Sequence, residues 1–296
     1  MIGKQLNRRT LLVIIIVGVI GVLNAPVFAG ESSETKPFTF VQLCDTQLGF
    51  GGYEHDINSF KQAVKQINAL KPDFVVICGD LVNTPSDKSF TDFTKIKDGL
   101  TMPCYCAAGN HDVGNKPTSA SLKRYRKVIG KDHYSFEHRG YTFMVTNTQL
   151  WKAPLKDESE KHNAWVIQTL KEAKKKNSPV FVVAHYPLYV NNSEEKELYY
   201  NLPLDKRKEL LTLYEECGVV AVLAGHTHRT IINSYKGIQL VNGEATSKNF
   251  DNRPLGFRLW NVASPTAMKH EFIPLKPKEP KPDEKPDVEG ARKQPK

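Results

Sequence analysis

The stretch Phe74-Val75-Val76-Ile77-Cys78-Gly79-Asp80 is an unbroken apolar run that stops on a glycine and a carboxylate. Five apolar residues without alternation suit a strand covered on both faces, as in a parallel sheet flanked by helices. The residues before it carry the other half of that pattern. Phe60, Ala63, Val64, Ile67 and Leu70 recur at helical spacing, and Lys71-Pro72 ends that helix. Phe38–Cys44 is an earlier strand candidate that runs into Asp45. Strand, helix and buried strand therefore follow one another.

The same alternation continues downstream. A polar stretch over about 86–99 reads as a helix, and Cys104–Ala108 as a short strand before Gly109-Asn110-His111-Asp112. His133–Glu137 and Tyr141–Asn147 flank Arg139-Gly140 and read as a hairpin. Glu158–Lys176 is expected to be a long helix with Trp165, Ile167 and Leu170 inward. Val180–Ala184 is a strand ending at His185. Leu210, Leu213, Tyr214 and Cys217 form a helical face closed by Gly218. Val219–Ala224 is a strand ending in Gly225-His226-Thr227-His228. The remainder, 230–273, reads as short antiparallel strands with turns at Lys236-Gly237 and Asn242-Gly243. Strands alternating with helices imply an α/β fold, a two-sheet β-sandwich flanked by helices, in one domain over 36–274.

The two ends differ from this body. Lys4, Arg8 and Arg9 precede the apolar run Leu11–Leu23, then Asn24-Ala25-Pro26 and Val27-Phe28-Ala29. That order of charged, apolar and small residues is a secretory signal over 1–29, with cleavage expected after Ala29 and export to a periplasmic or extracellular space. The alternative is an uncleaved membrane anchor through residues 11–23; a cleaved signal leaves no stable membrane insertion. Residues 275–296 are rich in Lys, Pro and Glu and are expected to be a disordered tail.

The formal net charge is +9 over 296 residues. Much of that excess falls in the two ends, so the body is only mildly basic. A mildly basic body favours anionic substrates, but no basic stripe interleaved with aromatics marks a nucleic-acid partner. The five cysteines, Cys44, Cys78, Cys104, Cys106 and Cys217, are odd in number and irregularly spaced. That is no disulfide framework. Most sit in apolar runs and read as buried small residues, with a disulfide between neighbouring strands left open.

The polar residues at the strand ends carry the chemistry. The first strand ends in Asp45 and Gln47, the second in Asp80, the third in Asn110 and His111. Two later strands end in His185 and in His226 and His228. Open α/β sheets bind ligands outside the carboxyl ends of their strands, so these residues are expected to converge on one rim. Singly, each has an ordinary explanation as a turn or a satisfied polar residue. Five in one chain do not. Gly79, Gly109 and Gly225 each precede a candidate ligand, where a missing side chain lets backbones approach a crowded centre.

The order Asp45-Thr46-Gln47, Gly79-Asp80, Gly109-Asn110-His111-Asp112, Ala184-His185 and Gly225-His226-Thr227-His228 resembles the calcineurin-like metallophosphoesterase superfamily. The resemblance spans about 38–273. It is nearer to the branch of calcineurin-like phosphoesterase domain-containing protein 1, a protein serine/threonine phosphatase group. Asn110 to Asn115 followed by Pro117-Thr118, Tyr134-Ser135-Phe136, Asn147-Thr148-Gln149 and Tyr199-Tyr200-Asn201-Leu202 carry the finer likeness.

The resemblance implies a four-layer architecture and a dinuclear centre of two divalent metal ions, drawn from Mn, Fe, Mg or Zn. It implies one metal on Asp45, Gln47, Asp80 and His228, and a second on Asp80, Asn110, His185 and His226, with Asp80 shared. A bridging hydroxide would be the nucleophile, and His111, not a ligand, would protonate the leaving oxygen. Most of the superfamily has His where this chain has Gln47; an amide oxygen is a harder donor than imidazole and tilts that site away from Zn. Asp112 is a candidate to orient His111 or to brace the local turn. The expected activity is phosphomonoester hydrolysis on a phosphorylated small molecule or a phosphoprotein. The rivals are a phosphodiesterase acting on nucleotides or lipid head groups, and a metal-binding scaffold without activity. Tyr53, Arg124, Tyr186 and Tyr199 are candidates to line the substrate pocket.

Overall fold

Along each inner strand, successive side chains enter different cores. In the computed structural model, which describes residues 36–276, Val41, Leu43, Val75 and Ile77 face one apolar cluster. Phe40, Cys44, Phe74, Val76 and Cys78 face another. This is the period-two alternation of a strand with both faces buried. The expected signal segment 1–29 and anchor run 11–23 lie outside the described residues, as does the tail beyond Lys276.

The elements run β1 (Phe38–Leu43), α1 (Tyr53–Leu70), β2 (Phe74–Ile77), α2 (Asp87–Lys97), β3 (Cys104–Cys106), α3 (Asn110–Val113) and α4 (Ser119–Val128). Then come β4 (Tyr134–His138), β5 (Tyr141–Val145), α5 (Gln149–Lys152), α6 (Lys156–Lys175), β6 (Val180–Val183), α7 (Leu204–Glu216) and β7 (Val219–Ala224). The chain closes with β8 (Ile231–Tyr235), β9 (Ile238–Asn242), β10 (Gly256–Ser264) and β11 (Ala267–Pro274). Among the described residues, no helix is long and apolar enough to cross a membrane.

The strands form a five-stranded sheet, β11-β10-β1-β2-β3, and a six-stranded sheet, β4-β5-β6-β7-β9-β8. Phe40, Phe143, Phe181, Val183, Leu223 and Trp260 fill the space between them. Phe60, Ile67, Phe90 and Phe93 from α1 and α2 cover the outer face of the first sheet. Leu170, Leu210 and Tyr214 from α6 and α7 cover the second. The result is the expected α/β sandwich, in helix, sheet, sheet and helix layers.

Three local readings change. Residues 230–273 are not simply antiparallel: β9 adds to β7 in parallel, and only then do β8 and β9 pair antiparallel. The β10–β11 hairpin leaves for the other sheet and pairs antiparallel with β1. The inward stripe of α6 is His162, Val166, Thr169, Leu170 and Ala173, with Trp165 and Ile167 turned partly outward. The stripe includes a histidine and a threonine, which an apolar count passes over. Of the expected Cys104–Ala108, the strand spans Cys104–Cys106, though the Ala107 amide still donates to the Ile77 carbonyl at 2.9 Å; the Tyr134 hydroxyl occupies its open edge, accepting from the Cys106 amide at 2.9 Å and donating to the Cys106 carbonyl at 3.2 Å. The cysteines are all free thiols. At the end of the described chain, Leu275 packs on the helix-side core and its amide donates to Leu255 at 2.8 Å.

Candidate metal centre

Asp45, Asp80 and Asn110 follow β1, β2 and β3 of one sheet, and His185 and His226 follow β6 and β7 of the other. The two sheet ends are stitched together at this rim: the Gly225 amide donates to the His185 carbonyl at 3.0 Å, and the His226 amide reaches both Asp45 oxygens at 3.0 Å.

The side chains meet in two groups. In the first, ligand atoms of Asp80, His185 and His226 lie within 4.8 Å of one another. His185 Nε2 is 3.3 Å from Asp80 Oδ2, 3.2 Å from His226 Nδ1 and 3.0 Å from Asn110 Oδ1. His185 Nδ1 donates to the Cys78 carbonyl at 2.8 Å, which turns its Nε2 lone pair inward. Asn110 Nδ2 donates to Asn115 Oδ1 at 3.1 Å, which turns the amide oxygen inward. A carboxylate, an amide oxygen and imidazole lone pairs so aimed are a donor set for a divalent cation.

The second group holds Asp45, Gln47 and His228. His228 Nε2 is 3.6 Å from Asp45 Oδ1, and its Nδ1 donates to the Lys248 carbonyl at 2.6 Å. The Gln47 amide donates to the Asp80 carbonyl at 2.8 Å, which sets the residue beside the first group. Its side-chain Oε1 is buried without a hydrogen-bond partner. Leaving such an acceptor unpaired costs about 1–3 kcal/mol, and a hard cation satisfies it. All seven candidate ligands are buried.

The backbone is strained where these residues sit. Asp45, Gln47, Asp80, His226 and His228 all have positive φ, between 32° and 68°. Non-glycine residues hold that conformation only where their surroundings over-determine it. Two glycines permit the crowding. A Cβ at Gly109 would overlap the Asp80 carboxylate, and one at Gly225 the Asp45 carboxylate.

Charge is strongly coupled here. Burial pushes the Asp80 carboxyl up, but the facing His185, helped by His111 and His226, holds it well below the ordinary carboxylate range. Burial pulls His185 down, yet the Asp80 carboxylate outweighs it and lifts the imidazole to about 9, so a cation taken up at Nε2 displaces a proton there. Asp45 is raised by burial and by Asp80, against the pull of His228 and His185. His226 is pushed down by burial and by the neighbouring His185.

His111 stands apart from the lone pairs. Its backbone amide donates to Asp80 Oδ1 at 2.9 Å and its Nδ1 donates to the Asn83 carbonyl at 2.9 Å, which leaves Nε2 free. Asp112 does not touch the His111 ring. Its Oδ1 accepts from the Leu81 and Val82 amides at 2.9 and 3.2 Å, and its Oδ2 from Gly109 at 2.8 Å. It therefore braces the loop after β2 against the loop after β3.

A scan of family models matches residues 38–230 to the calcineurin-like phosphoesterases. This chain belongs to that family. The phosphoesterase is 31% identical over 274 residues to the human serine/threonine-protein phosphatase CPPED1, covering 83% of this chain and 87% of the relative, and it falls in that branch. It is also 24% identical over 234 residues to a probable cyclic nucleotide phosphodiesterase of Ruthia magnifica, covering 76% of this chain and 93% of that one. Among solved structures, a dimetal phosphatase from Danio rerio shares the fold with a TM-score of 0.59 at 14% identity, over 81% of this chain and 99% of the other. The phosphoesterase is thus a hydrolase acting on phosphoric esters, in a family that works with divalent metal ions.

Supporting residues explain the finer motifs. Gln149 Nε2 donates to the Asn115 carbonyl at 2.6 Å, behind Asn110, and the Thr148 hydroxyl accepts from the Tyr186 amide at 3.0 Å. Of the four candidate pocket residues, Tyr186 and Tyr199 lie against His226 at 3.9 and 5.1 Å between ring centroids. Tyr53 is engaged by Asp92, and Arg124 by Asp87. Phe250, 5.1 Å from His228, escapes a sequence reading because its loop has no periodicity to single it out.

Proposed function

We propose that the phosphoesterase hydrolyses phosphomonoesters at a dinuclear centre, with Asp45, Gln47, Asp80 and His228 on one metal and Asp80, Asn110, His185 and His226 on the other. The observation that carries this is the convergence of Asp80, Asn110 and two imidazole lone pairs on one point, beside a buried, unpaired Gln47 oxygen. When bound, two divalent cations supply Lewis-acid activation of water and neutralise charge on the phosphoryl group.

The chain's own groups do the rest. Asp45 and Asp80 bring two negative charges against four positive ones, so the site stays attractive to a phosphate anion. His111, fixed through Nδ1 on the Asn83 carbonyl, presents Nε2 to the leaving oxygen and gives it a proton. Gln47 favours Mn, Fe or Mg over Zn. The human relative's name supports a phosphorylated protein or peptide as substrate class, and the bacterial relative's name keeps cyclic or other diesters as the second reading. Residues 1–29 direct the chain to export, which sets the substrate outside the cytosol.

The test is hydrolysis of p-nitrophenyl phosphate and its bis-ester by metal-stripped protein with Mn, Fe, Zn or Mg added back. Metal-dependent turnover of the monoester, lost in Asp80→Asn, is expected; because p-nitrophenolate leaves without a proton, His111→Ala is expected to cost less on this ester than on an alkyl phosphate. A faster bis-ester moves the assignment to a diesterase, and metal binding with no turnover of either moves it to a scaffold.

A further inference from the structure

Two aromatic walls stand over the outer imidazoles of the centre. On one side Phe50 and Phe250 pack edge to face, 5.9 Å apart at 73°, and lie 4.9 and 5.1 Å from the His228 ring. On the other, Tyr199 lies 5.1 Å from His226, whose ring rests at 3.9 Å on buried Tyr186. These rings are open to solvent: Phe50 is 36%, Phe250 46% and Tyr199 57% exposed. Exposed apolar rings cost solvation unless a partner covers them, and grouping at a polar mouth marks a ligand contact. Seven large apolar residues are exposed among the described residues, and three of them touch the cluster's imidazoles.

The walls are held in place. The Phe250 amide donates to the His228 carbonyl at 2.7 Å, and the Phe50 amide to Gln47 at 3.0 Å. The segment before Tyr199 is pinned by Lys152 Nζ on the Leu198 carbonyl at 2.6 Å and by Asn201 Oδ1 on the Leu198 amide at 2.7 Å. The rings are thus tied to the same residues that line the centre. A phosphate drawn to the centre sends its alcohol outward between them. A short alkyl alcohol leaves those faces wet. A planar ring gains by covering one of them, through stacking or edge-to-face contact.

We infer that the site selects phosphate esters whose alcohol carries a planar aromatic ring, with Phe50, Phe250 and Tyr199 as the specificity residues. This rests on the proposed function and narrows its substrate class. The ring chemistry is shared by phosphotyrosine and by nucleoside monophosphates.

The test measures binding of phenylphosphonate and methylphosphonate to the Mn-loaded full chain by calorimetry, in the wild type, Phe250→Ala and Tyr199→Ala. Mn titration of each protein checks that the centre is intact. Stacking on one ring is worth roughly a factor of ten. Phenylphosphonate is expected to bind about tenfold tighter than methylphosphonate, and the variant that removes the wall it covers to lose most of that preference. Equal affinities in the wild type, or equal losses for both ligands in the variants, overturn the inference while leaving the metal centre standing. Mn binding with neither phosphonate bound overturns both readings. In kcat/KM, phosphotyrosine and adenosine monophosphate are expected to exceed phosphoserine and to fall in the variants. Whichever of the two falls further identifies the source of the ring. A wild type that prefers phosphoserine overturns the inference.

Discussion

His185 Nε2 stands 3.3 Å from Asp80 Oδ2 while its Nδ1 is fixed on the Cys78 carbonyl at 2.8 Å. A strand end from one sheet and a strand end from the other are thereby joined by opposite charge. The same two atoms are the pair a divalent cation would share. Asp80→Asn removes the charge and keeps the shape. It is expected to cut Mn affinity at least 100-fold, since even supporting residues cost 10–100-fold. Metal content by elemental analysis after dialysis checks this. Full occupancy of two ions in the variant would remove Asp80 from the ligand set.

His111 differs from the ligands because its Nδ1 is spent on the Asn83 carbonyl and its backbone amide on Asp80. Its ring is absent from the lone-pair convergence. His111→Ala is therefore expected to lower kcat by about 10²–10⁴-fold and leave the metal content unchanged. The drop should shrink for an ester with a very good leaving group, which needs no proton. A variant that loses metal along with activity would make His111 a ligand.

The candidate ligands were legible in the sequence because each follows an apolar run, and in an α/β sheet such runs end on a shared rim. Asp45, Gln47, Asp80, Asn110, His185, His226 and His228 needed only that rule and the residue types. The strain did not show. Asp45 and His228 have positive φ for reasons of tertiary packing, and nothing local to their sequence demands it. Phe250 was invisible because its loop is placed by a backbone bond to His228, 22 residues earlier in the chain. Apolar spacing alone places Trp165 on the inward face of α6, whereas that face includes His162, a polar residue by type that is fully buried. The parallel register of β9 beside β7 is a topological fact that a hairpin signal cannot carry.

Asp112 shows what a buried acid does when it is not a ligand. Burial and the nearby Asp80 raise its pKa well above the carboxylate range, and three backbone amides point at it. Asp112→Ala leaves those three donors buried and unpaired. With about 1–3 kcal/mol for each unsatisfied group and some relaxation, a loss of roughly 3 kcal/mol in unfolding free energy is expected. Urea unfolding measures it. Asp112→Asn keeps one acceptor oxygen and should lose less. Equal stability of wild type and Asp112→Ala would show that the two loops are held by other contacts.

His162 makes the fold acid-sensitive away from the centre. Burial pushes its imidazole down to about 3, the neighbouring His133 adds to this, and Asp132 opposes it. Its Nε2 accepts from the Asn147 amide at 3.2 Å, which requires an unprotonated nitrogen. The folded pKa lies below the unfolded value of about 6.5. Between those two values the unfolded chain binds a proton that the folded chain refuses, so stability falls as pH falls through the window. Above about pH 6.5 the group contributes no pH dependence. Each pH unit inside the window costs about 1.4 kcal/mol, or roughly 2 kcal/mol between pH 6.5 and 5. His162→Gln removes the titration. It is expected to be less stable than wild type at pH 7, yet to lose less on acidification to pH 5. Thermal unfolding at both pH values gives the comparison. Parallel curves for the two proteins would mean that His162 already accepts a proton in the folded state.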